Sequence, residues 1–294
     1  MMSVTPWTYL IVNADDYGYF NCVSKGILNS ARHGIVTATG IFANSTHFDE
    51  HVGWLGDNTA LDLGVHLNIT DQEPLSINMR NRLSRWEGCF PGKYTIVRAL
   101  LSGTITTEDV KSEWRAQIER CLDKGVEIRF LNSHEHIHML PSLFPVLQAL
   151  AEEYGIPHIR FPTSEPFQSL SVGAIVRDML MKTMGVFNQY RLINPVARFL
   201  GMGESGRLST EYMKGRLPKL KRGHVYELMC HPGYYDAGEI SDSRLLNYHD
   251  WKREFDTLTN PTVRDMLDQN RIRLIGYRHL KIQDGRLAVR DEIE

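Results

Sequence analysis

Short apolar runs alternate along the chain with longer stretches of helical period. Leu10, Ile11, Val12 and Ala14 form one such run, which predicts a buried parallel strand over Thr8–Asp16. Val23–His33 reads as a helix closed by Gly34. Thr37–Ala43 is a second strand, Phe48–Leu55 is helical, and Leu61–Ile69 is a third strand. Residues 71–105 are polar, rich in Asn, Arg and Gly and without a clear period, so they read as a loop insertion on one barrel face. Thr107–Asp123 is a helix opened by Thr106 or Thr107 and stopped by Gly125. The stretch "VEIRFLNSH" is a strand, Pro141 opens a helix that Gly155 follows, and "PHIRFP" is a short strand. Residues 166–222 read mainly as helices with weak strand signals. The stretch "HVYELMCHPG" is a strand, Trp251–Gln269 is helical, and "RIRLIGYR" is the last strand. Seven strands alternating with helices, with no repeat or linker-like break, predict one α/β domain over residues 1–294 with a mostly parallel, barrel-like sheet.

Several strands end in polar residues out of keeping with their bodies. The first ends in Asp15-Asp16, the third carries His66, the fourth ends in Asn132-Ser133-His134, and the sixth ends in His231-Pro232-Gly233. Active sites of α/β barrels gather at the C-terminal ends of the strands, so these residues are expected to meet. One Asp and two His from separate strands supply three ligands to a divalent ion and leave positions open, as catalytic metal sites do. A cation would also relieve the repulsion between adjacent carboxylates, one binding it while the other stays free as a base. Each element has a plainer reading: a helix cap for Asp16, a core histidine for His66, a turn residue for His231. His134, His136 and His138 alternate, so within a strand they would share one face. Arg160, ending "HIRFP", faces the same rim and could orient Asp15, bind a substrate hydroxyl, or form a surface ion pair. Tyr17, Tyr234 and Tyr235 follow site residues and could stack on the rings of a substrate or pack in the core.

Composition narrows the classes further. The formal charge of −2 gives no case for nucleic acid. No apolar run reaches the roughly 18 residues of a membrane span. Four scattered cysteines and an N-terminus without a basic flank or apolar h-region point to reduced thiols and a cytoplasmic protein.

The stretches "LIVNADDYG", "GIVTATGIFAN", "LGVHLNIT", "SHEHIHMLP" and "ELMCHPGYYD" resemble, in order, the motifs of the YdjC-like carbohydrate deacetylases. The resemblance implies a distorted seven-stranded (β/α) barrel similar to the polysaccharide deacetylases, and one divalent metal ion, Mg²⁺ or Zn²⁺. It also implies removal of acetyl groups from N-acetylated sugars. Carried over residue by residue, Asp16, His66 and His134 match the metal ligands, Asp15 the catalytic base, and His231 the histidine opposite it. His136, Arg160 and Tyr234 are candidates for substrate contact. Asn132 stands where the family usually has Asp, which removes a charge that would raise a ligand's basicity. That departure keeps a non-catalytic, metal-dependent sugar-binding relative as the alternative. A receiver- or phosphatase-type Mg²⁺ site would leave His66, His134 and His231 without a role. A homodimer is compatible with the sequence and unsupported by it.

Overall fold

The structure is a computed structural model that describes residues 7–56, 60–163 and 172–290. In chain order the elements run β1 (Thr8–Tyr17), α1 (Asn21–His33), β2 (Ala38–Ile41), α2 (Phe48–Gly53) and β3 (Asp62–Leu67). There follow α3 (Ile77–Arg82), α4 (Lys93–Leu101), α5 (Thr107–Asp123), β4 (Ile128–Ser133), α6 (Phe144–Glu153) and β5 (His158–Ile159). Next come α7 (Val172–Gln189), β6 (Arg198–Leu200), α8 (Thr210–Arg216), β7 (Val225–Cys230) and α9 (Ser243–Tyr248). The chain ends with α10 (Trp251–Leu258), α11 (Pro261–Gln269), β8 (Ile272–Leu274) and a hairpin of β9 (Leu280–Gln283) and β10 (Arg286–Val289).

Seven strands pair in the order β5-β4-β3-β2-β1-β7-β6, all in parallel, and β8 adds to β1. β2 and β8 share one edge of β1, β8 pairing Thr8–Leu10 and β2 pairing from Asn13 upward, while β7 takes the other edge. Among the described residues no ladder joins β5 to β6, so the barrel is distorted and its seam is closed by side chains. Met139, Phe144, Phe161 and Phe199 pack there, and inside the seam Arg160 reaches Glu227 on β7.

The alternation along β1 sets its two faces. Leu10, Val12 and Ala14 join the main core under the helices, whereas Ile11 belongs to a separate interior cluster with Phe130 and Tyr277. Asn13 and Asp15 share the parity of Ile11 and so face the barrel interior. This polar, upward-growing interior face is what places a site at the rim.

Four expectations need correction. The 71–105 region is not a loop: α3 and α4 form there, α3 capped by Ser76, whose hydroxyl accepts from the Met79 amide. α6 begins at Phe144 rather than Pro141, with Pro145 in its first turn. Trp251–Gln269 is two helices, because Asn260 caps a new one that opens on Pro261. "SHEHIH" is not a strand: β4 stops at Ser133, and Glu135 and His136 take left-handed conformations (φ 53° and 54°) in a tight turn. The three histidines therefore do not share a face. β6 lies in the region read as helical, too short to register as a periodic run.

Gly26 on α1 fixes how the rim is assembled. A Cβ there would sit 2.4 Å from the Cα of Gly233, in the turn after β7. Gly26→Ala is expected to cost about 1–3 kcal/mol, the range for overpacking, and to displace His231 with its turn. Urea unfolding checks the first effect; unchanged stability would mean that the helix and turn are not in tight contact.

Candidate active site

β1 does not end at the two carboxylates but runs through them. Its pairing with β2 slips between Ala14 and Tyr17, a bulge that holds Asp16 at φ 69°. Asp tolerates that left-handed geometry better than most residues. The bulge breaks the strict alternation, so both Asp15 and Asp16 turn toward the interior rim.

Asp16 meets His66 from β3 and His134 from the turn after β4. One atom from each of the three lies within 4.8 Å of the others. His134 Nδ1 is 3.0 Å and His66 Nε2 3.3 Å from the same Asp16 oxygen. Burial opposes ionisation of Asp16, but the two imidazoles outweigh it and hold the carboxyl well below its usual range. His134 moves the opposite way: burial disfavours its charge, and the Asp16 carboxylate raises its pKa.

Asp15 belongs to a different network. Arg160 donates through both terminal nitrogens, Nη2 to Oδ1 at 2.9 Å, and Asn132 donates to the same Oδ1 at 3.0 Å. Arg160 is wholly buried, and its Nε donates to Glu227 at 2.6 Å, so one guanidinium neutralises two interior carboxylates. Burial works against the Asp15 charge, yet Arg160 and then His66 keep its pKa lowered.

Asn132 links the two networks, and it explains the departure at that position. His66 and Asn132 are cross-strand partners in β3 and β4. The Asp15 carboxylate can only accept, so it takes the amide NH₂, and the amide oxygen is left to accept from His66 Nδ1 at 2.8 Å. The His66 proton is thereby fixed on Nδ1, and its Nε2 lone pair faces Asp16. That Nε2 is buried without a hydrogen-bond partner. A lone pair aimed at a carboxylate oxygen is unfavourable unless a proton or a metal cation lies between them, so the three residues fit a divalent ion. An aspartate at position 132 would instead repel Asp15.

His231 stands at the end of β7, its backbone amide donating to Glu254 Oε2 at 2.5 Å and its Nδ1 lying 3.8 Å from Glu254 Oε1. Glu254 comes from α10 and is 0 % exposed. Burial disfavours the imidazolium, but Glu254 and the Asp16 and Asp15 carboxylates overcome it and push the pKa up to about 9.

The remaining candidates separate. His136 is not in the Asp16 cluster; it lies near Phe199 and His138, with Nδ1 buried and unpartnered and its pKa well below the ordinary histidine value, first through burial and then through Arg160. Tyr234 does not face the site: its ring packs on Phe255 and its hydroxyl accepts from Asn29 between α1 and α10. Tyr17 is core, donating to the His51 carbonyl. Tyr235 is exposed.

Four site residues escape the sequence reading. Tyr19 lies beside His134 with ring centroids 5.7 Å apart and donates to Asp71. Asn13 and Glu227 line the interior below Asp15, joined at 3.3 Å. Both were visible as polar residues at even spacing from Asp15 and His231 in otherwise apolar strands. Glu254 left no such signal, since an acidic residue on an amphipathic helix reads as surface.

The chain has known relatives over most of its length. A carbohydrate deacetylase of Clostridium beijerinckii is 29% identical over 273 residues, covering 92% of this chain and 99% of that one. One from Listeria monocytogenes serotype 4a is 32% identical with the same two coverages, and one from Mus musculus is 28% identical, covering 92% and 94%. A solved Enterococcus faecalis structure, described as a candidate cellobiose-phosphate cleavage protein, superposes with a TM-score of 0.69 at 25% identity, over 92% of this chain and 98% of that one. The model of the family described as YdjC-like protein matches residues 9–269. The chain therefore belongs to the YdjC-like protein family.

Proposed function

We propose that the chain is a metal-dependent deacetylase that hydrolyses the acetamide of N-acetylated sugars, releasing acetate and a free amine. The observation that carries this reading is the division of labour between neighbouring carboxylates. Asp16 sits with two imidazoles in a set suited to a cation, and Asp15 is held apart from it by Arg160 and Asn132. The relatives named carbohydrate deacetylase support the substrate class.

Asp16, His66 and His134 would hold the ion. Two imidazoles favour a transition ion such as Zn²⁺ over Mg²⁺. When bound, it would polarise the acetyl carbonyl and acidify a water. Asp15 takes the proton of the attacking water as the water oxygen adds to the acetyl carbon. Arg160 and Asn132 keep Asp15 ionised and its oxygens aimed. His231 gives its proton to the sugar nitrogen as the C–N bond breaks, which an amide nitrogen requires because its anion is a poor leaving group. Glu254 keeps that proton in place.

Acetate release from di-N-acetylchitobiose, with and without chelator, tests the reading. Release that chelator does not affect would remove the metal, and no release from any N-acetylated sugar would remove the activity. His66→Ala is expected to lose bound metal, read by elemental analysis; undiminished metal content would take His66 out of the ligand set.

The pH dependence has a defined sign. The His231 proton is held below about 9 and lost as pH rises through that value, so turnover falls on the alkaline side. A cation beside Asp16 moves that limb to lower pH. Glu254→Gln keeps an acceptor for the His231 amide but removes the charge, and is expected to shift the limb acidward. An unmoved limb would show that His231 does not set it.

No described helix is long and apolar enough to cross a membrane.

A further inference from the structure

A series of aromatic rings leads outward from His231. His249, just after α9, has its ring centroid 5.0 Å from that of His231. It stacks on Trp251, at 5.0 Å and 15° between ring planes, and meets Tyr248 edge-on at 4.8 Å. His249 borders the candidate active site on this side, since His231, Asp16 and His134 all act on its charge. Burial first, and then the His231 cation, push its pKa down to about 3, so a neutral imidazole stands beside a protonated one.

Tyr248 is the outer member of the series. It is 43% exposed, yet it is held in place. Its hydroxyl donates to Ser205 Oγ at 2.8 Å, and its ring lies against Gly206, where a Cβ would come 3.1 Å from two ring carbons. Gly206 sits at φ 80°, which suits glycine, and its carbonyl accepts from the Asp250 amide at 2.7 Å. On the other side of the ring the His249 amide donates back to the Leu245 carbonyl at 2.8 Å. A ring that is already fixed and still open to water offers contact area at little further cost in side-chain entropy, which is what makes tyrosine effective on binding surfaces.

We propose that Tyr248, backed by His249, is a specificity-determining residue that binds the sugar ring next to the one being deacetylated. The inference rests on the deacetylase reading and deepens it. In that reading His231 protonates the sugar nitrogen, so the acetyl group points to the Asp16 cluster and the sugar lies on the His231 side. The aromatic wall continues outward from His231 on that same side, where the next ring of an oligosaccharide follows. A pyranose presents a face of C–H groups that packs on an aromatic ring, while the hydroxyls at its edge stay in water. The Tyr248 hydroxyl is turned to Ser205, so the ring face is what it offers.

The test uses the full chain. N-acetylglucosamine and tri-N-acetylchitotriose are titrated by calorimetry with chelator present, so that turnover adds no heat. The trimer is expected to bind about tenfold more tightly than the monosaccharide, and Tyr248→Ala to remove most of that difference. Tyr248→Phe keeps the ring and loses the bond to Ser205, and is expected to keep the difference. Circular dichroism shows that both variants are folded. Equal affinity of the wild-type chain for the two sugars would overturn the proposal, as would no binding of the trimer, or a Tyr248→Ala variant that binds it like wild type. A Tyr248→Phe variant as weak as Tyr248→Ala would also overturn it, because the residue would then serve as an anchor for its loop. Acetate release by the metal-loaded wild-type chain is measured alongside. No acetate from the trimer, with its binding intact, would overturn the deacetylase reading and leave the subsite standing.

Discussion

Asp15→Asn is expected to lower kcat for acetate release by roughly 10²–10⁴-fold, the usual contribution of a general base, while metal content stays at the wild-type level. The two outcomes follow from the split between the networks. Asp16, His66 and His134 hold no bond to the Asp15 side chain that the metal set depends on, because His66 is oriented by Asn132. An asparagine keeps the size of the side chain and one acceptor for Arg160, so the rim is filled as before. What it lacks is the second oxygen and the charge that takes a proton from water. Acetate release and elemental analysis on the same preparation separate the readings. Turnover near wild type would dismiss Asp15 as the base, and lost metal would move it into the ligand set.

Much of this site was legible in the sequence because strand ends are where polarity becomes anomalous. Asp15, Asp16, His66, His134 and His231 each interrupt an apolar run, and the barrel topology brings such interruptions to one rim. The bulge at Asp16 was not legible. Nothing in "NADDYG" distinguishes a strand that ends from one that slips by a residue, and the distinction resides in the β1–β2 register. The turn at Glu135–His136 was missed for a related reason: alternating histidines satisfy a strand pattern, and a left-handed pair leaves no mark on composition. The 71–105 insertion was misread because its helices are short, and what orders them is distant. Glu113 on α5 accepts from the Leu75 and Ser76 amides, and Lys93 reaches Glu135 at 2.7 Å. Asn132 was noticed as a departure but read as a loss of charge on a ligand. The structure gives it a different role, as a bridge from His66 to Asp15 that an aspartate could not make.

Arg160→Met carries the largest expected effect on stability. Arg160 is the counterion of both Asp15 and Glu227, all three buried, and its removal leaves two carboxylates facing each other in the barrel interior. Breaking a buried ion pair by deleting one partner costs about 3–5 kcal/mol, on the order of 10 °C in melting temperature. The pH dependence should invert as well. In the wild-type chain the lowered pKa of Asp15 means its stabilisation is present above the unfolded-state value and is lost as pH falls through the folded one. Without Arg160, burial and mutual repulsion raise both carboxyls, so the variant becomes more stable as pH falls and weakens as pH rises. A second substitution distinguishes this account from simple loss of packing. Glu227→Gln should destabilise the wild-type chain, where it unpairs part of the guanidinium, and should stabilise the Arg160→Met chain, where it removes one of two uncompensated charges. Thermal unfolding of the four proteins across pH reads that change of sign. If Glu227→Gln acts in the same direction in both backgrounds, Arg160 is held for its volume and not for its charge.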